Sequence, residues 1–247
     1  MRLTVLGCGD AFGSGGRFNT CFMVEAAHGA VLLDCGATSL VALRARNIDP
    51  NALDGVILSH LHGDHFGGLP FLLLDAQVVS LRERPLTIAG PPGTRDRMMA
   101  ALEVLYPGAT ATAWRFELRV SEIVPGVATK VLGLEVRTAE VIHPSVVPST
   151  AVRLSDGDRV LVYSGDTEWT DALPVIAAGA DLFIVECSQR EGVPRGHLSW
   201  TMLEPRLKDF SARRIILTHM GASMLAHADA VRATGVLVAS DGMVMDV

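Results

Sequence analysis

Three short apolar segments of this chain are each followed, within three positions, by a histidine or an aspartate, which are residue types that can bind metal ions. Each segment has the length and composition of a buried β-strand. The pairs of segment and residue are Val56–Leu58 with His60, Leu161–Tyr163 with Asp166, and Ile215–Leu217 with His219. Ligands gather at the carboxyl ends of strands in open α/β sheets, so we expect these three positions to converge on one edge of the fold. His143, which follows Val141 and Ile142, is a fourth candidate for the same edge.

The segment His60–His65 places three imidazoles and one carboxylate within six residues, directly after a predicted strand. A polar, solvated turn that happens to be rich in histidine is the alternative interpretation. Protonated imidazoles this close together would repel one another, whereas a cation such as zinc binds several of them at once. Seven ligands are too many for one tetrahedral zinc and suit two, with Asp166 as a bridge. The candidate ligands are His60, His62, Asp64, His65, His143, Asp166 and His219.

The order of predicted strands and helices indicates an α/β fold made of two halves. The first half alternates strand and helix and ends near residue 108, and the second begins with antiparallel strands before it returns to alternation. Predicted helices cover 38–46, 68–81, 94–105, 170–178, 200–210 and 222–233. Predicted strands cover 3–6, 21–24, 30–33, 56–58, 85–88, 115–120, 134–138, 150–154, 159–163, 182–185 and 215–217. Without a linker between the halves, we expect one domain over 1–247, a four-layer sandwich of two sheets with helices outside.

Composition excludes several classes of protein. Hydrophobic residues make up 49% of the chain and charged residues 19%, which predicts a folded protein rather than a disordered one. The net charge of −6 provides no global positive field for a polyanion, so nucleic acid would have to bind locally. No apolar stretch has the roughly 20 residues of a membrane span, and no signal-peptide pattern opens the chain. We therefore expect no membrane insertion, a cytoplasmic location and four reduced cysteines without the Cys-x-x-Cys spacing.

The order of the ligand residues, from the His60–His65 run to His219, resembles the metallo-β-lactamase-fold superfamily over essentially the whole chain. The resemblance implies the αβ/βα four-layer sandwich of that superfamily. It also implies two divalent metal ions, most simply Zn²⁺, with Mn²⁺ and Fe²⁺ as alternatives. By this analogy one ion takes His60, His62 and His143, and the other takes Asp64, His65 and His219. Asp166 and a hydroxide would lie between the two ions.

Secondary motifs are most similar to the ribonuclease Z and phosphodiesterase branch of that superfamily. They are the opening Gly7–Thr20, the stretch Arg84–Gly93 and the Gly196–Ser199 segment. The resemblance implies catalytic roles for Asp64 and for His197, the latter assisting the leaving group. A helix-capping or surface histidine is the alternative interpretation of His197. Ribonuclease Z proper carries a Gly-rich and basic arm that grips transfer RNA, and no insertion of that composition occurs here.

Three further residues are candidates for supporting roles. Arg17 and Asn19 lie in the Gly-rich loop and could reach a substrate phosphate, although plain solvation is the favoured interpretation for the arginine. Asp34 follows a strand and is a candidate to orient a ligand imidazole by accepting its second N–H, a role that the sequence leaves open. Glu186 ends another strand at the same edge, in either a supporting or a purely structural role.

These observations predict a hydrolase of a small phosphodiester-type substrate that uses a metal-bridging hydroxide as nucleophile. Thioesterase, lactonase or β-lactamase activity on the same centre is the alternative among hydrolases. A non-catalytic member that binds RNA or protein is the alternative outside enzymology. A di-iron redox protein is disfavoured, since such relatives usually carry Glu at the position of His62. A homodimer is compatible with the sequence, which leaves the oligomeric state open.

Overall fold

The computed structural model describes all residues from 1 to 247, and its strands form two mixed sheets of seven strands each. The strands of the first sheet are β1 (Arg2–Gly7), β2 (Cys21–Ala26), β3 (Gly29–Leu33), β4 (Gly55–Ile57), β5 (Leu86–Gly90), β6 (Leu118–Glu122) and β14 (Val244–Asp246). Their spatial order is β14-β1-β2-β3-β4-β5-β6. The strands from β3 to β6 run parallel, and β1, β2 and β14 pair antiparallel with their neighbours.

The second sheet follows the chain without interruption. It contains β7 (Thr129–Val131), β8 (Leu134–Glu140), β9 (Thr150–Ser155), β10 (Val160–Tyr163), β11 (Leu182–Glu186), β12 (Ile215–Thr218) and β13 (Leu237–Val238). The spatial order is β13-β12-β11-β10-β9-β8-β7, with the strands from β10 to β13 parallel. Two antiparallel pairings separate β8 from β10, so these two strands point the same way.

The helices lie between the strands and are short. They are α1 (Ser39–Ala45), α2 (Gly63–Phe66), α3 (Leu69–Val78), α4 (Thr94–Leu105), α5 (Ala172–Ile176), α6 (Trp200–Leu203), α7 (Ala222–Leu225) and α8 (Ala228–Ala233), with four 3₁₀ turns besides. None of these helices has the combination of length and apolar character that crossing a membrane requires.

Alternation along the strands explains the layers, because successive side chains of a strand point to opposite faces of its sheet. In β11, Leu182 and Ile184 belong to an apolar cluster shared by both sheets, whereas Phe183 and Val185 pack against the helices. The shared cluster has 22 buried residues from both sheets. A separate cluster of 20 or 21 residues joins each sheet to its own helices. The order helix, sheet, sheet, helix confirms the predicted four-layer α/β sandwich.

The division into two sequential halves is wrong at both ends of the first sheet. The strand predicted over 115–120 is β6, which pairs parallel with β5 in the first sheet instead of opening the second. The C-terminal strand β14, not predicted, returns to the first sheet beside β1. The short strands β7 and β13 were not predicted either. Strands of two or three residues lack the repeated apolar pattern that would reveal them.

Two predicted helices are interrupted in the structure. The helix predicted over 200–210 is α-helical only as far as Leu203 and continues as a 3₁₀ segment over Glu204–Asp209. Pro205 lacks the N–H that an α-helical hydrogen bond would need, which explains the tighter geometry. The helix predicted over 222–233 divides into α7 and α8, with Ala226 and His227 between them.

Candidate metal centre

The candidate ligands approach one another at the carboxyl edge of both sheets. His60 follows β4 in the first sheet, whereas His143, Asp166 and His219 follow β8, β10 and β12 in the second. His62 precedes α2, and Asp64 and His65 lie within it, so the tight turn into this helix returns their side chains toward His60. The seven side chains predicted as ligands therefore lie close together at this edge of the two sheets.

The ligand atoms fall into two groups, each with all its atoms within 4.8 Å of one another. The first, which we call the imidazole set, consists of His60, His62 and His143. The second, which we call the carboxylate set, consists of Asp64, His65, Asp166 and His219. The division agrees with the one that the family resemblance implies.

Distances within the two sets suit shared cations. In the imidazole set, Nε2 of His143 lies 2.9 Å from Nδ1 of His62. In the carboxylate set, Nε2 of His65 and Nε2 of His219 lie 3.3 and 3.2 Å from Oδ2 of Asp64. A cation held by all members of a set would replace these direct nitrogen–nitrogen and nitrogen–oxygen contacts.

Asp166 connects the two sets. Its Oδ2 lies 3.2 Å from Nε2 of His65 and 3.3 Å from Nε2 of His219, both in the carboxylate set. The same oxygen lies 3.9 Å from Nε2 of His60, in the imidazole set. A single carboxylate in this position is suited to bridge two cations.

Buried polar atoms without partners test whether these residues fit metal ions. Nε2 of His60, Nε2 of His65 and Oδ1 of Asp166 are buried and have no hydrogen-bond partner. Leaving such atoms unpaired costs about 1–3 kcal/mol each, which a bound cation would offset. Three imidazoles, and two imidazoles with carboxylates, are donor sets that divalent zinc accepts. The residues therefore fit divalent metal ions.

Hydrogen bonds on the side of the imidazoles that faces away from the centre fix which ring nitrogen faces it. Oδ2 of the fully buried Asp34 accepts a hydrogen bond from Nδ1 of His65 at 2.7 Å, which leaves Nε2 of His65 free to bind a cation. The same oxygen accepts from the hydroxyl of Ser59, which lies 3.0 Å from Nδ1 of His60. The predicted orienting role of Asp34 thus agrees with its contacts, and it extends to both ligand sets.

The imidazole set depends on a second hydrogen bond, from the loop that follows β11. Nδ1 of His143 donates to the carbonyl of Gly196 at 2.6 Å, so Nε2 faces His62. Gly196 has a φ of 79°, and a Cβ there would lie 2.4 Å from Cδ of Pro144 and 2.9 Å from Nδ1 of His143. Only glycine fits this close approach.

Two non-glycine residues of the centre have left-handed backbone conformations. The φ of Asp34 is 60° and that of His219 is 57°. Conformations of this kind cost about 1–3 kcal/mol and persist where the surrounding contacts hold them, often at functional sites. Here the residues with this conformation are the candidate ligand His219 and Asp34, which contacts the candidate ligand His65.

His197 lies at the mouth of the centre on a buried carboxylate. Its Nδ1 lies 2.9 Å from Oε1 of Glu186, and its ring stacks on that of His219 with 5.3 Å between centroids. Glu186 is fully buried, and its Oε1 also accepts the backbone N–H of Thr167. Sequence reasoning left the role of Glu186 open, and the structure places it in contact with His197.

The pKa shifts of the histidines follow from burial and from the neighbouring carboxylates. Burial lowers the pKa of His60 well below its ordinary value, and the nearby His65 acts in the same direction. Burial also lowers the pKa of His143, so both imidazoles are neutral and ready to bind a cation. For His197, burial lowers the pKa, but the hydrogen bond and negative charge of Glu186 outweigh it and raise the pKa to about 9.

A protein-family model with the description "Anti-Pycsar protein Apyc1" matches residues 1–240 of this chain. The chain belongs to this family. It is 32% identical to the ribonuclease Z of Mycobacterium sp. (strain KMS), in an alignment that covers 74% of this chain and 67% of the relative.

Solved structures of other proteins superpose on this Apyc1-family chain and have the fold that the sequence predicts. Human tRNase Z, short form, superposes with a TM-score of 0.81 at 24% identity and covers 100% of this chain and 99% of its own. The metallo-β-lactamase fold protein YhfI from Bacillus subtilis gives a TM-score of 0.80 at 23% identity, with coverages of 99% and 98%. The metallo-β-lactamase fold and the ribonuclease Z-like branch are both confirmed, and the chain is a metal-dependent hydrolase.

A cavity of about 440 Å³ opens over the centre of the Apyc1-family chain. Several lining residues were not among the predicted ones: Asp10, Phe12, Ser14, Gln189 and Arg195. The opening loop reaches the cavity because the carboxylate of Asp10 accepts hydrogen bonds from the backbone of Phe12 and Ser14. An Asp that precedes a Gly- and Ser-rich loop is a sequence signal for such a turn.

The interpretation of Arg17 and Asn19 as contacts of a substrate phosphate finds no support in the structure. Neither residue lines the cavity over the centre. Nη1 of Arg17 donates to the carbonyl of Ala239 at 3.0 Å and lies 3.3 Å from Sγ of Cys8. The buried Asn19 donates from Nδ2 to the carbonyl of Asp10. Both side chains hold the Gly-rich loop in place, which sequence alone could not distinguish from contact with a ligand.

Proposed function

We propose that this chain hydrolyses a small phosphodiester-type substrate at a centre of two divalent metal ions, most simply zinc. The observation that carries the proposal is the position of Asp166, whose Oδ2 lies within 3.9 Å of imidazole nitrogens from both ligand sets. His60, His62 and His143 would hold one ion, and Asp64, His65 and His219 the other. Bound ions of this kind lower the pKa of water toward neutrality and neutralise charge on the oxygens of a phosphodiester.

His197 is the proton donor of the proposal. Its pKa of about 9 keeps the imidazole protonated at neutral pH, and Glu186 holds Nδ1 so that Nε2 is the nitrogen left to deliver a proton. An alkoxide that leaves phosphorus needs a proton as its bond breaks, because it is a strong base. A thioester, whose thiolate leaving group is a much weaker base, has less need of such a donor, and this difference favours phosphodiester over thioester chemistry.

Similarity to other proteins supports the same choice. The Mycobacterium relative is named a ribonuclease Z, and ribonucleases act on phosphodiesters. The net charge of −6 and the absence of a basic arm from the sequence favour a small phosphodiester over transfer RNA.

The test combines elemental analysis of freshly purified protein with turnover of four substrates. We expect about two equivalents of divalent metal and hydrolysis of bis(p-nitrophenyl) phosphate in preference to a thioester, a lactone and a β-lactam. A precursor transfer RNA is included as a fifth substrate and should not be cleaved. Turnover of the lactone or thioester alone would contradict the proposal, and so would one equivalent of metal in fully active protein.

A further inference from the structure

A second cavity, of about 510 Å³, adjoins the cavity over the metal centre. His62, Pro144 and Arg195 line both, so the two cavities meet at the imidazole set. The second cavity extends away from the carboxylate set, toward Arg97 on α4. A substrate whose phosphorus lies at the centre therefore has room on this side for a part that does not react.

The two arginines of this cavity have no partners in the chain. The guanidinium groups of Arg97 and Arg195 form no hydrogen bond and no ion pair with other residues of the chain. Other arginines on the surface, such as Arg44 and Arg84, pair with carboxylates. In a chain with a net charge of −6, two unpaired cations at one cavity form a local positive region.

No carboxylate lines the second cavity. Its polar lining consists of the two arginines, His62 and Ser145, and the rest is apolar. Val146 in that lining is fully exposed, and Leu61 and Val147 complete the apolar wall. The wall suits the organic part of a ligand, whereas the two guanidinium groups suit a planar or tetrahedral anion, which they can bind through paired N–H donors.

We propose that Arg97 and Arg195 bind a second anionic group on the substrate, a phosphate or a carboxylate remote from the phosphorus that reacts. The inference rests on the proposed function, because it assigns the non-reacting part of that phosphodiester to the second cavity. It makes the preferred substrate a phosphodiester with at least two separate anionic groups. The two arginines then determine specificity and take no part in the bond that breaks.

A pair of chromogenic substrates tests this preference. Thymidine 5′-(p-nitrophenyl phosphate) and its counterpart with an added 3′-phosphate release the same p-nitrophenolate and differ by one anionic group. We expect kcat/KM to be about tenfold higher for the 3′-phosphorylated substrate, mainly through a lower KM, since charge-assisted hydrogen bonds are the stronger class. Equal kcat/KM values for the two substrates would overturn the inference.

Variants connect the preference to the two arginines. The double substitution Arg97→Met with Arg195→Met should bring the ratio of the two kcat/KM values close to one. The double substitution to lysine keeps both charges and should retain part of the ratio. Arg95→Met is the matched control, because Arg95 lies on the same helix but points its guanidinium at the carbonyl of Val120. A ratio that survives in the double Met variant, or that falls in Arg95→Met, contradicts the assignment.

A measurement of binding alone distinguishes a failure of this inference from a failure of the proposed function. Calorimetry with thymidine 3′,5′-bisphosphate and thymidine 5′-phosphate measures how much the added 3′-phosphate contributes to binding, without any turnover. We expect about tenfold tighter binding of the bisphosphate by the unsubstituted protein, and equal binding of both by the double Met variant. If neither chromogenic substrate is hydrolysed, the proposed function fails, and the two dissociation constants still decide the inference. Equal dissociation constants in the unsubstituted protein would overturn it.

Discussion

The two ligand sets of the candidate centre differ in charge, burial and support. The imidazole set carries no carboxylate of its own, and two of its three members are only partly buried. The carboxylate set contains two aspartates, and three of its four members are buried. It rests directly on the buried carboxylate of Asp34, whereas His143 rests on the backbone of a loop. For the proposed centre of two cations, we therefore expect the carboxylate set to bind its cation more tightly and the imidazole set to fill second.

The largest loss of activity is expected at Asp166, whose carboxylate adjoins imidazoles of both sets. We expect Asp166→Ala to lower phosphodiester turnover by more than about a thousandfold, because chemistry that depends on two bound cations loses the group shared between them. Metal content should fall below two equivalents in elemental analysis. Asp229→Ala is the control, since Asp229 is fully exposed on α8 and pairs only with Arg232. Undiminished turnover in Asp166→Ala would show that the two sets work independently.

A second test asks whether His197, which touches both sets, acts as a ligand or as a proton donor. Its ring lies 5.0 Å from that of His143 and 5.3 Å from that of His219, measured between centroids. We expect His197→Gln to keep both metal ions and to lower turnover of a substrate with an alkoxide leaving group by about 10²–10⁴-fold. A p-nitrophenolate leaving group, which needs little protonation, should lose far less. Equal losses with both leaving groups, or loss of one metal ion, would exclude the donor role.

Sequence reasoning predicted the candidate ligands that the structure brings together, because a local pattern encodes their positions. His60, Asp166 and His219 each follow an apolar strand. The parallel order of β10, β11 and β12 brings Asp166 and His219 to one edge of the second sheet, and His60 approaches Asp166 there from the first sheet. The roles of Asp34 and Glu186 stayed open, because each depends on contact with a histidine that is 31 or 11 residues away in the chain. No local pattern in the sequence records such a contact.

The same limit applies to the fold. The longer elements were predicted well, and α4 was predicted with the bounds it has in the structure. The sheet membership of β6 and β14 was not, because pairing between distant strands depends on the whole topology. The single domain, the cytoplasmic location and the metal-ligand roles of the seven residues stay predictions.

Asp34 offers a test of the support behind the two sets. We expect Asp34→Asn to weaken metal binding by about 10–100-fold, the usual effect of removing the partner of a ligand histidine. The carboxylate set should lose more, because Asp34 contacts His65 directly and reaches His60 only through Ser59. Titration against a competing chelator resolves the two binding constants. Asp75→Asn is the control, as Asp75 is a buried aspartate whose partner is Arg44. A larger loss at the imidazole set would reverse the comparison.

The smallest loss of metal affinity is expected for a substitution at Gly196, whose carbonyl accepts a hydrogen bond from His143 of the imidazole set and from no residue of the carboxylate set. In Gly196→Ala the new Cβ would meet Pro144 and Nδ1 of His143, so His143 must move. We expect about a tenfold loss of affinity at the imidazole set, at the lower end of the range for lost ligand support, with the carboxylate set unchanged. Gly192→Ala is a matched control in the same loop, because Gly192 also has a positive φ, of 93°, but a Cβ there meets nothing within 4 Å. If both variants lose the same affinity, backbone strain in the loop is the cause. If only Gly196→Ala does, contact with His143 holds that half of the centre together.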